Sequence, residues 1–370
     1  MIVLAVLCFA TWSYLLLAHG RFWSAGPSLS PAKPAQPVPV DIVVPARDEA
    51  DSIADCLRSL LAQDYAGPFR VILVDDRSGD GTGAIARSIG DDRLHVLDGT
   101  DRPAGWSGKL WAVAQGVRFS EAPLVFLCDA DIVHQPAHLS TLVAKLEGDE
   151  MDLVSEMVEL NCTSVAERAL VPAFVFFFQL LYPFAWVNQR LHKTAAAAGG
   201  TVLLRRAALD RIGGIETVRG ALIDDVALAT AVKRGGPIWL GHSRLARSIR
   251  PYPSAGDVWR MVARTAYVQL RFSPLILAGT IVGLALVWLA PPLLSVFGTG
   301  MARWLAAAAW AVSAASFVPT LTRFRQSPLW ALALPAIACF YMAATIGSAL
   351  DRHRGRGVVW KRRAYGEAGV

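Results

Sequence analysis

VILVDDRSGDGT (Val71–Thr82) and LVFLCDAD (Leu124–Asp131) share one pattern: an apolar run ends abruptly in paired carboxylates. Short runs of this kind, rich in Val, Ile and Leu and without polar alternation, read as strands buried on both faces. Working outward, Val40–Val44 and Phe69–Val74 give two such strands and Leu124–Cys128 a third. Helical patterns lie between and beside them, at Glu49–Gln63, Gly81–Ile89 and Lys109–Phe119. This alternation predicts an α/β fold, a single mainly parallel sheet flanked by helices. In such sheets functional groups collect beyond the carboxyl ends of the strands, where this chain places its acids.

The 370 residues are 54% hydrophobic, which predicts one soluble domain together with several membrane segments. The net charge of +6 comes from basic residues flanking apolar runs, a pattern unlike a nucleic-acid footprint, and no nucleic-acid partner is expected. Cys8, Cys56, Cys128, Cys162 and Cys339 are scattered without a CxxC pair, so neither a zinc site nor a disulfide framework is expected and a reducing cytoplasm fits.

Residues 1–18 carry no charged side chain and approach the ~20 residues that cross a bilayer. His19, Arg21 and Lys33 follow this run and no basic region precedes it, so an uncleaved anchor with a cytoplasmic far end is expected rather than a signal peptide. Residues 19–39 read as a linker, with five prolines between Pro27 and Pro39. A catalytic domain is expected over 40–272, membrane helices over 273–350 and a basic tail over 351–370. The apolar runs after residue 272 are Pro274–Phe297, Trp304–Leu321 and Leu329–Leu350, and Pro291-Pro292 is expected to break or end the first. Three full crossings from a cytoplasmic domain would leave the basic tail outside, against the positive-inside rule; a re-entrant or surface-lying run is the alternative.

ALVPAFVFFFQLLYPFAWV (Ala169–Val187) has the hydropathy of a span, yet a crossing there would separate the acids before it from those after it. A helix lying in the membrane interface is expected over 169–187, broken near Pro172 and Pro183 and anchored by its aromatics. A buried core helix is the alternative.

Asp75 and Asp76 precede a Gly-rich turn, where carboxylates can accept hydrogen bonds from a base N–H and ribose hydroxyls, or simply cap a loop. Asp129 and Asp131 stand at i and i+2 of an extended chain, so both can face one hard cation; magnesium or manganese takes such ligands and keeps sites for diphosphate oxygens. A solvated strand end is the alternative. Asp224 and Asp225 open a helix in GALIDDVALATAVKRGG (Gly220–Gly236), as caps or as a general base for an acceptor hydroxyl.

In order and spacing, VDIVVPARDEADSI, VDDRSGDGT, CDAD and IDDVALA resemble the family 2 glycosyltransferases with the A-type nucleotide-sugar fold, over Val40–Pro274. GWSGKLWA, GGTVLLRR, WRMVARTAYVQL and WKRRAY bring a closer likeness to the hopanoid-biosynthesis-associated members. The resemblance implies that Pro45, Arg47, Glu49 and Asp76, with Asp75 beside them, hold the nucleoside. It implies that Asp129 contacts ribose or diphosphate and Asp131 binds Mg2+ or Mn2+. Asp225 would be the base, with Asp224 beside it placing the acceptor. Lys109 and Arg264 would meet donor phosphate, and Gly199, Gly200 and Thr201 would wall the sugar.

A nucleotide-diphosphate sugar is thus the expected donor, and a lipid acceptor at the bilayer the expected partner of a multi-pass protein whose catalytic domain faces the cytoplasm. The chain departs from processive synthases: Arg260 and Arg264 stand where a Q/RxxRW sequence would be, without its Trp. A processive or oligosaccharide-building synthase and a catalytically silent scaffold remain the alternative readings. A dinucleotide oxidoreductase fits poorly, because PARDEA follows the first strand in place of GxGxxG.

Overall fold

The computed structural model describes residues 1–355, 359–360 and 363–364, so most of the basic tail, with Lys361, Arg362 and Tyr365 of WKRRAY, lies outside the described residues. The chain divides into two compact units. One gathers Pro27–Asn161 and Trp186–Pro251; the other gathers Met1–Gly26, Cys162–Ala185 and the stretch from Tyr252. The compact units therefore cut the chain differently from the sequence boundaries at 40 and 272, because segments remote in sequence share a hydrophobic core.

The first unit is built on an eight-stranded sheet: β1 Val40–Ala46, β2 Phe69–Asp75, β3 Leu94–Asp98, β4 Leu124–Cys128, β5 Ile132–His134, β6 Leu153–Glu159, β7 Thr201–Arg205 and β8 Ile238–Ser248. Their order is β3-β2-β1-β4-β7-β6-β8-β5. The β3-β2-β1-β4 portion is parallel, as its unbroken apolar runs predict, with Val40 beside both Phe69 and Leu124. Beyond it the sheet is mixed: β7 runs antiparallel to β4 and β6, β8 runs parallel to β6, and β5 runs antiparallel to β8. Antiparallel pairing of Cys128 with Thr201 brings the start of β7 to the carboxyl end of β4.

Helices Ile53–Leu61, Thr82–Arg87 and Gly108–Phe119 follow the parallel strands, each shorter than or shifted by a residue from its sequence pattern. Ser107 caps the last of them by accepting from the Leu110 N–H. That helix lies close on the sheet: a Cβ on Gly116 would come within 2.4 Å of Val43. The Pro-rich stretch is laid against the domain, with the Ala32 N–H donating to Thr141 and the Val38 N–H to Tyr65.

The second unit is helical. Pro274–Phe297, Gly300–Arg323 and Pro328–His353 are long and apolar enough to cross a membrane, whereas Ile2–Leu17 is shorter. Pro291 and Pro292 do not end the first of these helices; a π turn over Ala285–Leu289 carries it through. Pro291 lacks the N–H that would reach the Val287 carbonyl, and the Trp12 indole donates to that carbonyl at 2.8 Å instead. Likewise, Val165–Leu181 is one helix running through Pro172 and stopping before Pro183, with Ser164 and Glu167 forming a capping box. Its aromatics enter the helical core, Phe176 against Phe317 at 5.0 Å and Phe177 against Tyr341 at 4.9 Å.

Candidate active site

The loops after β1 and β2 are cross-tied. Backbone N–H groups of Asp48, Glu49 and Ala50 donate to the side chains of Ser78, Thr82 and Asp80, and the Gly79 N–H returns a bond to Asp48. Asp75 turns its carboxylate to its own loop, accepting from the Ser78 N–H at 3.0 Å. Asp76 is fully buried; Arg47 donates to its carbonyl and lies 3.5 Å from its carboxylate. Of the neighbouring acids expected at this strand end, Asp75 thus serves the turn and Asp76 pairs with Arg47.

Beside these loops opens a cleft of about 390 Å³ whose polar lining comprises Lys109, Asp129, Asp224 and Asp225, with Pro45 and Gly199 at its wall. Three sequence-distant elements meet here: the end of β4, the start of helix Gly108–Phe119 and the start of helix Asp224–Lys233. The Lys109 ammonium reaches Asp129 at 2.8 Å and Asp224 at 3.1 Å. Burial works against its charge, but Asp129 and Asp224 more than offset that and hold its pKa well above the ordinary value. Burial and the nearby Asp131 raise the Asp129 carboxyl, with Lys109 opposing them.

Asp225 accepts from the Gly199 N–H at 2.9 Å and from the Val226 N–H at 2.8 Å. Desolvation, then the Asp224 charge, push its pKa up to about 7. A carboxylate poised there can take a proton near neutral pH. Gly199 stands at the centre of the cleft, since a Cβ on it would lie 3.3 Å from the Lys109 ammonium, 3.4 Å from Asp225 and 3.8 Å from Asp129. Gly200, expected beside the sugar, faces away: its Cβ would meet Val158 and Ile132.

Asp131 is buried and accepts from Arg250 Nε at 2.7 Å and Ser248 Oγ at 3.1 Å. The same guanidinium reaches Glu49 at 2.7 Å, and the two acids outweigh burial in holding Arg250 above its ordinary pKa. Sequence reading missed Arg250. Its signal was position alone, two residues past the end of the long strand β8 that pairs with β5 beside Asp131. The expected phosphate-binding Arg264 lies in the other unit, at the C-cap of helix Ala255–Ala263. The arginine paired with the acids is Arg250.

Asp129 and Asp131 are therefore drawn to different resident cations rather than turned together on one point, and among the described residues no three His, Cys, Asp or Glu side chains form a metal cage. As hard oxygen donors they still suit Mg2+ or Mn2+ as a partial shell, since such ions often take one or two carboxylates and complete their coordination with phosphate oxygens and water.

Residues 41–213 match the profile of Glycosyl transferase family 2. The chain is similar to Glycosyltransferase AglE of Haloferax volcanii, 32% identical over 135 residues that cover 35% of this chain and 43% of that protein. It is also similar to 4,4'-diaponeurosporenoate glycosyltransferase of Staphylococcus aureus, 37% identical over 91 residues, 25% of this chain and 23% of that one. The matched stretches span less than half the length of these relatives. Among solved structures, the mannosyltransferase PcManGT of Pyrobaculum calidifontis, in complex with GDP-Man and Mn2+, superposes with a TM-score of 0.57 at 22% identity, covering 95% of this chain and 99% of that one. The shared fold is the A-type glycosyltransferase sheet flanked by helices.

Proposed function

We propose that the chain transfers a sugar from a nucleotide-diphosphate donor to an acceptor hydroxyl by a single displacement that inverts the anomeric carbon. One observation carries this reading: Asp225, with a pKa of about 7, shares a cleft with Lys109 and Asp129, so a base and a phosphate-binding cation flank the same space. As the acceptor oxygen bonds to the anomeric carbon, the bond from that carbon to the diphosphate oxygen breaks, and the nucleoside diphosphate leaves with the electron pair. Asp225 takes the acceptor proton. Asp224 helps seat the acceptor, and Lys109, turning from its acids, meets the departing phosphate.

Arg47, Glu49 and Pro45 hold the nucleoside, and the buried Asp76 acts there through Arg47, which it pairs with. Asp131, with Asp129, would hold Mg2+ or Mn2+, which when bound neutralises charge on the leaving diphosphate. The match to family 2 and the fold shared with a protein solved with GDP-Man and Mn2+ support a nucleotide sugar and a divalent ion.

We assign the acceptor to the bilayer, as a lipid alcohol. Helices long enough to cross a membrane follow the acids in the chain, and an apolar helix precedes them. The helix Val165–Leu181 would lie at the interface, and the catalytic domain would face the cytoplasm. A triterpenoid such as a hopanoid is the acceptor suggested by the sequence resemblance.

The test uses the full chain in lipid nanodiscs with UDP- and GDP-sugars, Mn2+, and polyisoprenoid and triterpenoid alcohols. Single-sugar transfer to a lipid with inverted configuration is expected. Retained configuration would overturn the displacement, long products would favour a processive synthase, and transfer only to soluble acceptors would remove the lipid assignment.

A further inference from the structure

Behind the cleft, a line of buried polar groups that the transfer reaction does not use connects Glu156 to the turn bearing Asp129 and Asp131. Glu156 Oε2 lies 3.0 Å from His138 Nε2, His138 Nδ1 lies 2.7 Å from His134 Nδ1, and His134 Nε2 lies 3.1 Å from Cys128 Sγ. The Cys128 thiol in turn donates to the Asp129 carbonyl at 3.2 Å. All four side chains are within the core, none more than 4% exposed. They come from β6, the start of helix His138–Gly148, β5 and the end of β4, so the line spans elements that no single hydrogen-bond ladder joins.

Burial and the adjacent His138 hold His134 well below the usual imidazole range, so its ring is neutral, with one nitrogen donating and the other accepting. Each contact along the line can then be a hydrogen bond, and Glu156 is the group that meets His138 Nε2 at its end. An apolar residue at 156 would leave the His138 nitrogen without a donor or acceptor in a dry site.

The far end of the line is anchored as well. The Glu156 N–H donates to Thr201 Oγ1, whose hydroxyl donates back to the Glu156 carbonyl at 2.7 Å. Thr201 follows the two glycines of the cleft wall and pairs with Cys128 across the β4-β7 register. The Asp129 carbonyl also receives the Ile132 N–H, closing the turn that projects both aspartates.

We propose that Glu156 and His138 are positioning residues for the donor site, acting through His134 and Cys128 to hold the Asp129–Asp131 turn in its binding geometry. The proposal rests on the nucleotide-sugar reading of the cleft. Its test compares the full-length wild-type chain in nanodiscs with E156L, E156Q and C128A. Amide hydrogen exchange over Leu124–His134 is measured, together with calorimetric binding of Mn2+ with GDP and Mn2+ with UDP.

E156L and C128A are expected to speed exchange in that segment alone and to weaken whichever nucleotide binds by about fivefold, the factor one hydrogen bond carries. E156Q, whose amide can donate to or accept from His138 Nε2, is expected to stay within about twofold of wild type on the same scale. Wild-type exchange over Leu124–His134 in both E156L and C128A overturns the proposal, as does acceleration spread evenly over the whole sheet, or E156Q as impaired as E156L. Should E156L fail to fold, C128A decides by the same exchange measurement. Should the wild type bind neither nucleotide, the donor reading falls while the exchange comparison still judges the relay.

Discussion

The Gly199 amide donates to Asp225 Oδ2 across 2.9 Å, joining residues 26 apart in sequence. This bond fixes one carboxylate oxygen, and the absence of a side chain at Gly199 keeps open the space between that oxygen, Lys109 and Asp129. Replacing Gly199 with Ala would place a methyl 3.3 Å from the Lys109 ammonium, tighter than ordinary contact. The expected result is a transfer rate lower by tenfold or more, on the order of 1.4 kcal/mol in the barrier. The melting temperature should stay near that of the wild type, so rate and thermal unfolding measured together check this.

Asp225 acts as the ionised base, so kcat/KM is expected to rise about tenfold per pH unit below about 7 and level off above it. The same raised pKa means that the folded state binds this proton more tightly than the unfolded chain. Its stabilising contribution is present below the unfolded carboxylate value and is lost as pH rises through about 7. Asp225→Asn removes both effects: transfer falls by at least ~100-fold, the usual weight of a general base, and the loss of stability between about pH 4 and about pH 7 becomes shallower. A pH–rate profile and melting curves of the variant read the two separately.

Arg250 joins Asp131 to Glu49, residues on different strand ends. Arg250→Ala leaves two largely buried carboxylates facing each other without their cation. A stability loss of about 1–3 kcal/mol is expected, discounted because the guanidinium is 35% exposed. Arg250→Lys restores the charge but not the two-armed geometry, and recovers stability better than nucleotide binding. Denaturant unfolding and calorimetry of Mn2+ with GDP or UDP would show the split.

Two aspartates already paired with Lys109 and Arg250 offer a divalent ion little on their own. Mn2+ alone is therefore expected to leave the melting temperature nearly unchanged. Mn2+ with the binding nucleotide diphosphate is expected to raise it, by about 2.7 kcal/mol of stabilisation at 100-fold saturation. A large shift with metal alone would show that the chain holds the ion without the nucleotide.

In the helical unit, Trp12 serves the carbonyl left open by Pro291. Trp12→Phe keeps the apolar ring and removes the donor, and is expected to destabilise that unit by about 1–3 kcal/mol. Thermal unfolding in nanodiscs checks it; Pro291→Ala, which returns an N–H to the helix, is expected to soften the effect.

The parallel half of the sheet was legible in the residues alone, because apolar runs such as VILV (Val71–Val74) and LVFLC (Leu124–Cys128), buried on both faces, have few other solutions, and their acids fall at strand ends by chain order. Motif order also determined that Asp129 and Asp225 belong to the cleft. Folding across the chain settles which cations neutralise the acids of the site. Lys109 reaches Asp129 and Asp224, Arg250 reaches Asp131 and Glu49, and no spacing rule relates Arg250 to Glu49, 201 residues away. The same holds for Gly199 over Gly200: both lie in the turn that the Thr201 N–H closes onto the Ala198 carbonyl before β7, and only the folded turn settles which one meets the cleft. The helix through Pro291 makes the point in reverse, since proline's local penalty was predictable but the indole that relieves it arrives from the other end of the chain.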